Sequence, residues 1–176
     1  MVPPVLRIGF WEPIYDAVEL VLREGRPCLV CIAGNAGCGK STLGKLLRRG
    51  GMGRIPLRKV LVIDDDVASV YVLGVFRRRV KFPSRQKDFL RPFAPYFRGK
   101  QLIVFVTAQP SERLDECDIL VTVNCTDEVR LGQLRRRNAD ADKRISDTAG
   151  YRLVKPRARA EFEIENDGEV FALRSG

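Results

Sequence analysis

Five apolar runs punctuate the chain, at 27–33 (PCLVCIA), 59–63 (KVLVI), 101–106 (QLIVFV), 118–124 (DILVTVN) and 161–165 (EFEIE). Most are nearly continuous in Val, Ile and Leu, which suits strands covered on both faces. Between them the apolar spacing lengthens to that of helices. One helix is expected from about 13 to 24, with Pro13 near its first turn and Gly25 after its end. A second runs from 39 to 49 and stops at Gly50 and Gly51. A third follows Thr126, an N-cap, with Asp127 and Glu128 in its first turn and Arg135, Arg136 and Arg137 in its last, matching the helix dipole at both ends. NDG at 166–168 reads as a hairpin turn that folds EVFAL back as a short extra strand. Strands alternating with helices predict an α/β fold around a five-stranded, mainly parallel sheet.

At 176 residues and 45% apolar content, one domain spanning 1–176 with one buried core is expected. No apolar window of about 18 residues occurs, and MVPPVLRIGFWEP lacks the charged start and apolar core of a secretory leader. These features predict a soluble, cytoplasmic protein with no membrane partner. The five cysteines fall in or beside apolar runs, Cys38 apart, where a reduced thiol acts as a small hydrophobe. Cys28 and Cys31 form a CxxC pair, but it lies on a predicted strand, with no second pair and no histidine in the chain, so zinc is not expected.

Charge is concentrated. Residues 67–100 hold nine basic side chains against the single acid Asp88, which is +8 of the chain's formal +9. Arg77, Arg78, Arg79 and Arg85 are interleaved there with Tyr71, Phe76, Phe82, Phe89, Phe93, Tyr96 and Phe97. Cations for phosphates and flat rings for bases make a nucleic-acid groove, so 67–100 reads as a substrate-binding segment. The same composition also fits an amphipathic helix pair with its aromatics in the core and its arginines in solvent.

Gly34 to Ser41 fits GxxxxGKS at every fixed position, between an apolar strand and a helix. Gly34, Asn35, Ala36, Gly37, Cys38 and Gly39 bring backbone N–H groups onto phosphates, and the helix start at Lys40, Ser41 and Thr42 adds partial positive charge. Lys40 reaches the β- and γ-phosphates of ATP, and the Ser41 hydroxyl ligates magnesium. Cys38 sits where backbone N–H groups favour a thiolate, and is read as a spectator.

IDDDVA puts Asp64, Asp65 and Asp66 at the end of the second strand, the edge of an α/β sheet where ligands bind. Alternation sends Asp64 and Asp66 to one side and Asp65 to the other. With no histidine available, a carboxylate is the natural proton acceptor for a hydroxyl. LIVFVTAQ ends without an acid, so Asp64 is the candidate for magnesium, for the acceptor hydroxyl, or for both, with Asp66 on the substrate side. LRRRNADADKRI reads as a mobile lid over 135–150, from which Arg137 and Arg144 could close over the transferring phosphoryl group, although helix-end pairing alone also explains Arg135 to Arg137.

Together these segments resemble P-loop kinases of the nucleoside monophosphate kinase group, and especially the dephospho-CoA kinase pattern. GNAGCGKST resembles the phosphate loop, IDDDVA the acidic strand end with Asp64 as base, RRRNADADKRI the lid, and EFEIENDG the terminal strand and turn. The resemblance implies the three-layer P-loop NTPase fold, with ATP and Mg2+ as cofactors. The histidine that commonly follows the acidic motif is absent, and 67–100 is more basic than a small thiol precursor requires. The chain is also similar to bacteriophage hydroxymethyluracil DNA kinases, which implies host cytoplasm and a hydroxymethylated pyrimidine in DNA as acceptor. Free dephospho-CoA or a monophosphate, and a nucleic-acid-binding NTPase that hydrolyses ATP without an acceptor, are the alternatives.

Overall fold

The computed structural model describes residues 5–6, 10–65, 69–72, 76–79, 89–137 and 152–174, with the backbone alone at 5–6, 69–72, 76–79 and 137. The elements in chain order are β1 (Val5–Leu6), α1 (Glu12–Leu22), β2 (Cys28–Ala33), α2 (Lys40–Gly50), β3 (Val60–Asp64), β4 (Ser69–Val72), β5 (Phe76–Arg79), β6 (Leu102–Thr107), α3 (Pro110–Arg113), β7 (Glu116–Cys125), α4 (Asp127–Arg137), β8 (Arg157–Asn166) and β9 (Val170–Leu173). Among the described residues they build an α/β unit around one mixed, mostly parallel sheet of nine strands, ordered β1-β9-β8-β7-β2-β6-β3-β4-β5.

The five expected strands are all present as the parallel centre β3-β6-β2-β7-β8. The expected count of five is corrected at both ends. Beyond β8, the hairpin strand β9 pairs antiparallel and carries β1 in parallel on its far side. Beyond β3, the β4–β5 hairpin continues the sheet antiparallel, from Asp64 opposite Ser69 to Val72 opposite Phe76. SVYV and FRRR are short, but their β-branched and aromatic residues favour a pleated surface, and an unpaired β3 edge offers them a ladder.

Each face of the sheet closes a separate core. Val30, Ile32, Val62, Val104 and Val121 lie under α1 and α2. Helix α1 contributes Ile14, Val18 and Val21 at helical spacing and starts with a proline in its first turn, where the missing N–H costs nothing. The opposite face holds Cys31, Ile63, Phe105 and Leu120 and is covered by Phe89, Phe93 and Leu114. Among the described residues part of that cover is a 3-10 turn at Arg91–Tyr96. No helix among the described residues is long and apolar enough to cross a membrane.

One ion pair fastens the start of the central strand. Asp118 on β7 accepts two hydrogen bonds from Arg26, at 2.9 and 2.6 Å, and one from the Leu29 amide at 2.8 Å. Burial pushes the Asp118 carboxyl up, but the guanidinium and the amide outweigh it and hold the group below the usual carboxylate range. Asp118→Asn is expected to cost about 1–2 kcal/mol, because it removes the buried anion of a half-exposed Arg26 that keeps only the exposed Glu24. Thermal unfolding against pH checks this. The gap between wild type and variant is full above the ordinary aspartate range and closes as pH falls through the lowered folded-state value.

Candidate active site

All five central strands run parallel, so their carboxyl ends share one edge, and β2 ends there between β6 and β7. Strands reached after β2 lie on both sides of it, which makes this the crevice where open α/β sheets take ligands. The glycine loop 34–39 fills that position. At φ 148°, Gly34 passes so close to β7 that a Cβ would run into the Val123 carbonyl oxygen. Gly39 sits at φ 97° as the cap of α2, and a Cβ there would be 2.7 Å from Asn166 Nδ2. Left-handed backbone and close approach leave both positions to glycine. Helix α2 then starts at once, with Thr42 and Leu43 donating to the Gly39 carbonyl at 2.9 and 3.1 Å. Lys40 is buried, and its Nζ folds back over the loop to the Asn35 carbonyl oxygen at 2.9 Å.

Asn166 was legible in the sequence only as part of a turn, and the structure gives it a second task. Buried at the end of β8, it donates from Nδ2 to the Cys38 carbonyl at 2.9 Å, while its Oδ1 accepts the Gly168 amide at 3.0 Å. The expected NDG turn thus forms and braces the glycine loop from the far side of β7. Asn166→Ala leaves a buried carbonyl without its partner, so a loss of about 1–3 kcal/mol is expected. Hydrogen exchange should then rise in the loop and the β8–β9 turn ahead of the central strands.

Asp64 and Asp65 separate as alternation requires. Asp64 is buried and shares the α2 face with Val60 and Val62. Asp65 lies on the opposite face, where its Oδ2 accepts the Thr107 hydroxyl at 2.9 Å and meets Arg113 Nε at 3.3 Å. Thr107 also accepts the Gln109 amide, and Arg113 stacks 3.9 Å from the Phe89 ring centroid. The polar end of β6 therefore ties down Asp65, and Asp64 alone of this described pair faces the helix that follows the glycine loop. Asp66 lies outside the described residues.

The structure divides the basic segment. Arg77, Arg78 and Arg79 sit on β5, the outermost strand on that side. Phe89 and Phe93 are buried, and Tyr96 and Phe97 pack against the same core. For Phe89 and Phe93 the expectation of a base-stacking groove is corrected, since they are buried sheet cover, with half-buried Tyr96 and Phe97 packed beside them. Arg137 ends α4, capped as expected by Thr126 Oγ1 at 3.3 Å from the Val129 amide. Arg85 and Arg144, with most of the proposed lid, lie outside the described residues.

A small cavity of about 90 Å³ opens beside the loop, lined by Asn35, Cys38, Asn124, Cys125 and Arg130. Arg130 is a basic residue that sequence reading passed over in favour of the triple arginine five positions on. A larger cavity of about 520 Å³ lies at the opposite edge of the sheet. Its arginines are already engaged, Arg26 and Arg159 by Asp118 and Glu24 and Arg157 by Glu116. Arg130 is likewise paired, with Asp127 at 3.1 Å, so it is position that favours the small cavity, which adjoins the glycine loop at the carboxyl edge of the sheet. No protein-family model matches this chain, and no curated protein sequence matches it significantly.

Proposed function

We propose that the chain is a P-loop, ATP-dependent kinase that moves the γ-phosphate of ATP to a hydroxyl on a nucleotide unit, with a 5-hydroxymethyl pyrimidine in DNA as acceptor. One observation carries the reading: a glycine turn between the central parallel strand and a helix, with Lys40 folded over it and buried Asp64 on the helix-covered face of the same sheet edge. Loop N–H groups and the α2 N-terminus would receive the phosphates. Lys40 would neutralise charge that develops on the transferring group, and Arg137 and Arg144 would add to it on closure. Asp64 would take the hydroxyl proton. Ser41 and Asp64 supply oxygen donors of the kind magnesium prefers, and bound magnesium would offset charge on the phosphate oxygens. Asp66, Arg77, Arg78, Arg79 and Arg85 would face the acceptor.

A second reading has its own support. Because Phe89 and Phe93 are core residues, fewer rings remain for stacking bases, which favours a small free acceptor such as dephospho-CoA or a nucleoside monophosphate. The test incubates the protein with magnesium, γ-labelled ATP and, separately, hydroxymethyluracil DNA, plain DNA, dephospho-CoA and monophosphates. Label in the hydroxymethylated DNA alone supports the first reading, and label in a small acceptor moves the assignment to the second. Release of inorganic phosphate at equal rates in every arm overturns both. If DNA is the partner, changing Arg77, Arg78 and Arg79 together to Ser should flatten the slope of log K against log salt by about one unit for each phosphate those arginines neutralise, with ATP affinity unchanged.

A further inference from the structure

Cys38 lies within the glycine loop and Cys125 at the end of β7, 87 positions apart in the chain, yet their Sγ atoms are 2.6 Å apart. Both are free thiols in the structure. The separation is only a little longer than the about 2.05 Å of a covalent S–S bond, so bridging needs a shift well under the width of an atom. Cys38 is buried and Cys125 half-buried, and both line the 90 Å³ cavity beside the loop, which gives a molecule as small as a peroxide an approach to the pair. Cys28, Cys31 and Cys117, buried like Cys38, lie further back along β2 and β7, away from the glycine loop.

We infer that Cys38 and Cys125 form an oxidisable thiol pair, which a peroxide converts to a disulfide that ties the glycine loop to the β7–α4 junction. The two sulfurs are not equivalent. Cys125 donates its S–H toward Cys38, and this contact, with Lys40 and Arg130 nearby, pulls the Cys38 thiol down against the upward push of burial. The same contact pushes the Cys125 thiol up. Burial pushes Cys28 and Cys117 up to about 12 and Cys31 well above the ordinary range, so these three stay protonated and inert.

The chemistry balances without a metal or a cofactor. Cys38 thiolate attacks one peroxide oxygen, the O–O bond breaks, and a sulfenic acid forms as hydroxide leaves and is protonated to water. Cys125 sulfur then attacks the Cys38 sulfur, the S–S bond forms and the S–O bond breaks. The sulfenic hydroxyl leaves as a second water with the proton of the Cys125 thiol, and the proton that Cys38 gave up is the one that neutralises the first hydroxide. Two electrons pass from the thiol pair to the peroxide.

This inference is independent of which acceptor, if any, the protein phosphorylates. The test treats the native, folded chain with hydrogen peroxide, quenches and denatures it, alkylates the remaining thiols and maps peptides without reductant. The expected product is one cross-linked pair containing Cys38 and Cys125, reversed by dithiothreitol, with Cys28, Cys31 and Cys117 recovered as alkylated thiols. Cys125→Ser should remove the cross-link and leave a Cys38 sulfenic acid that dimedone traps. Wild-type protein whose Cys38 and Cys125 remain alkylatable after peroxide has consumed an equimolar simple thiol, or whose Cys38 bridges a different cysteine, overturns the inference. Because the wild-type map decides the matter alone, a poorly folding variant does not blunt it.

Discussion

Lys40→Ala should lower phosphoryl transfer from ATP by about 10³-fold while the protein still unfolds cooperatively. The Lys40 ammonium is the buried cation of the glycine loop, and it donates to the Asn35 carbonyl there. Removing that bond costs about the worth of one hydrogen bond to a charged group in stability, roughly 1.5–3 kcal/mol. Removing a preorganised positive group from a water-poor site costs about 10²–10³ in rate, and a group on the transferring phosphate sits at the upper end. Single-turnover assays with labelled ATP, run beside circular dichroism of the same preparation, separate the two effects. Turnover near wild type in a folded Lys40→Ala protein would sink the kinase proposal.

Asp64→Asn is expected to lower kcat by about 10² or more with ATP affinity largely kept. The substitution is nearly isosteric, so the covered end of β3 keeps its packing, but an amide neither accepts a proton nor ligates magnesium as a carboxylate does. Asp65→Asn serves as the control. Asp65 is engaged by Thr107 and Arg113 on the other face, so its loss should show in unfolding temperature before it shows in kcat. A damaging Asp66→Asn beside a mild Asp64→Asn would move the role of base two residues along.

Periodicity and punctuation made the parallel centre of the sheet legible, because a strand buried on both faces must be apolar throughout and a capped helix must carry its cap in sequence. The edges of α1, α2 and α4 were legible for the same reason, through Pro13, Gly50, Gly51 and Thr126. The β4–β5 hairpin was not, because its four-residue strands carry little pattern and the arginines of FRRR read first as charge. Of the candidate site, the loop and the strand-end acid could be seen because their residues are contiguous. What could not be seen is what distant residues do to them. Asn166 reaches back 128 positions to the loop carbonyl, and Thr107 reaches back 42 to Asp65. Thr107 has no local signature, and that of Asn166 is a turn, which says nothing of the loop that the strand order brings beside it.

The order of the strands also decides how the sheet meets other chains. A sheet edge offers unpaired N–H and C=O groups to any extended peptide, and identical edges recruit each other first. Among the described residues one edge is β1, a strand of two residues, too short to template much of a ladder. The other is β5, where three consecutive arginines would oppose three more in an antiparallel self-pair. Like charges directly opposite one another across a ladder repel. The nine-stranded sheet therefore resists growing into a longer one: at one margin it offers too little backbone, and at the other it meets its own copy with the same charge.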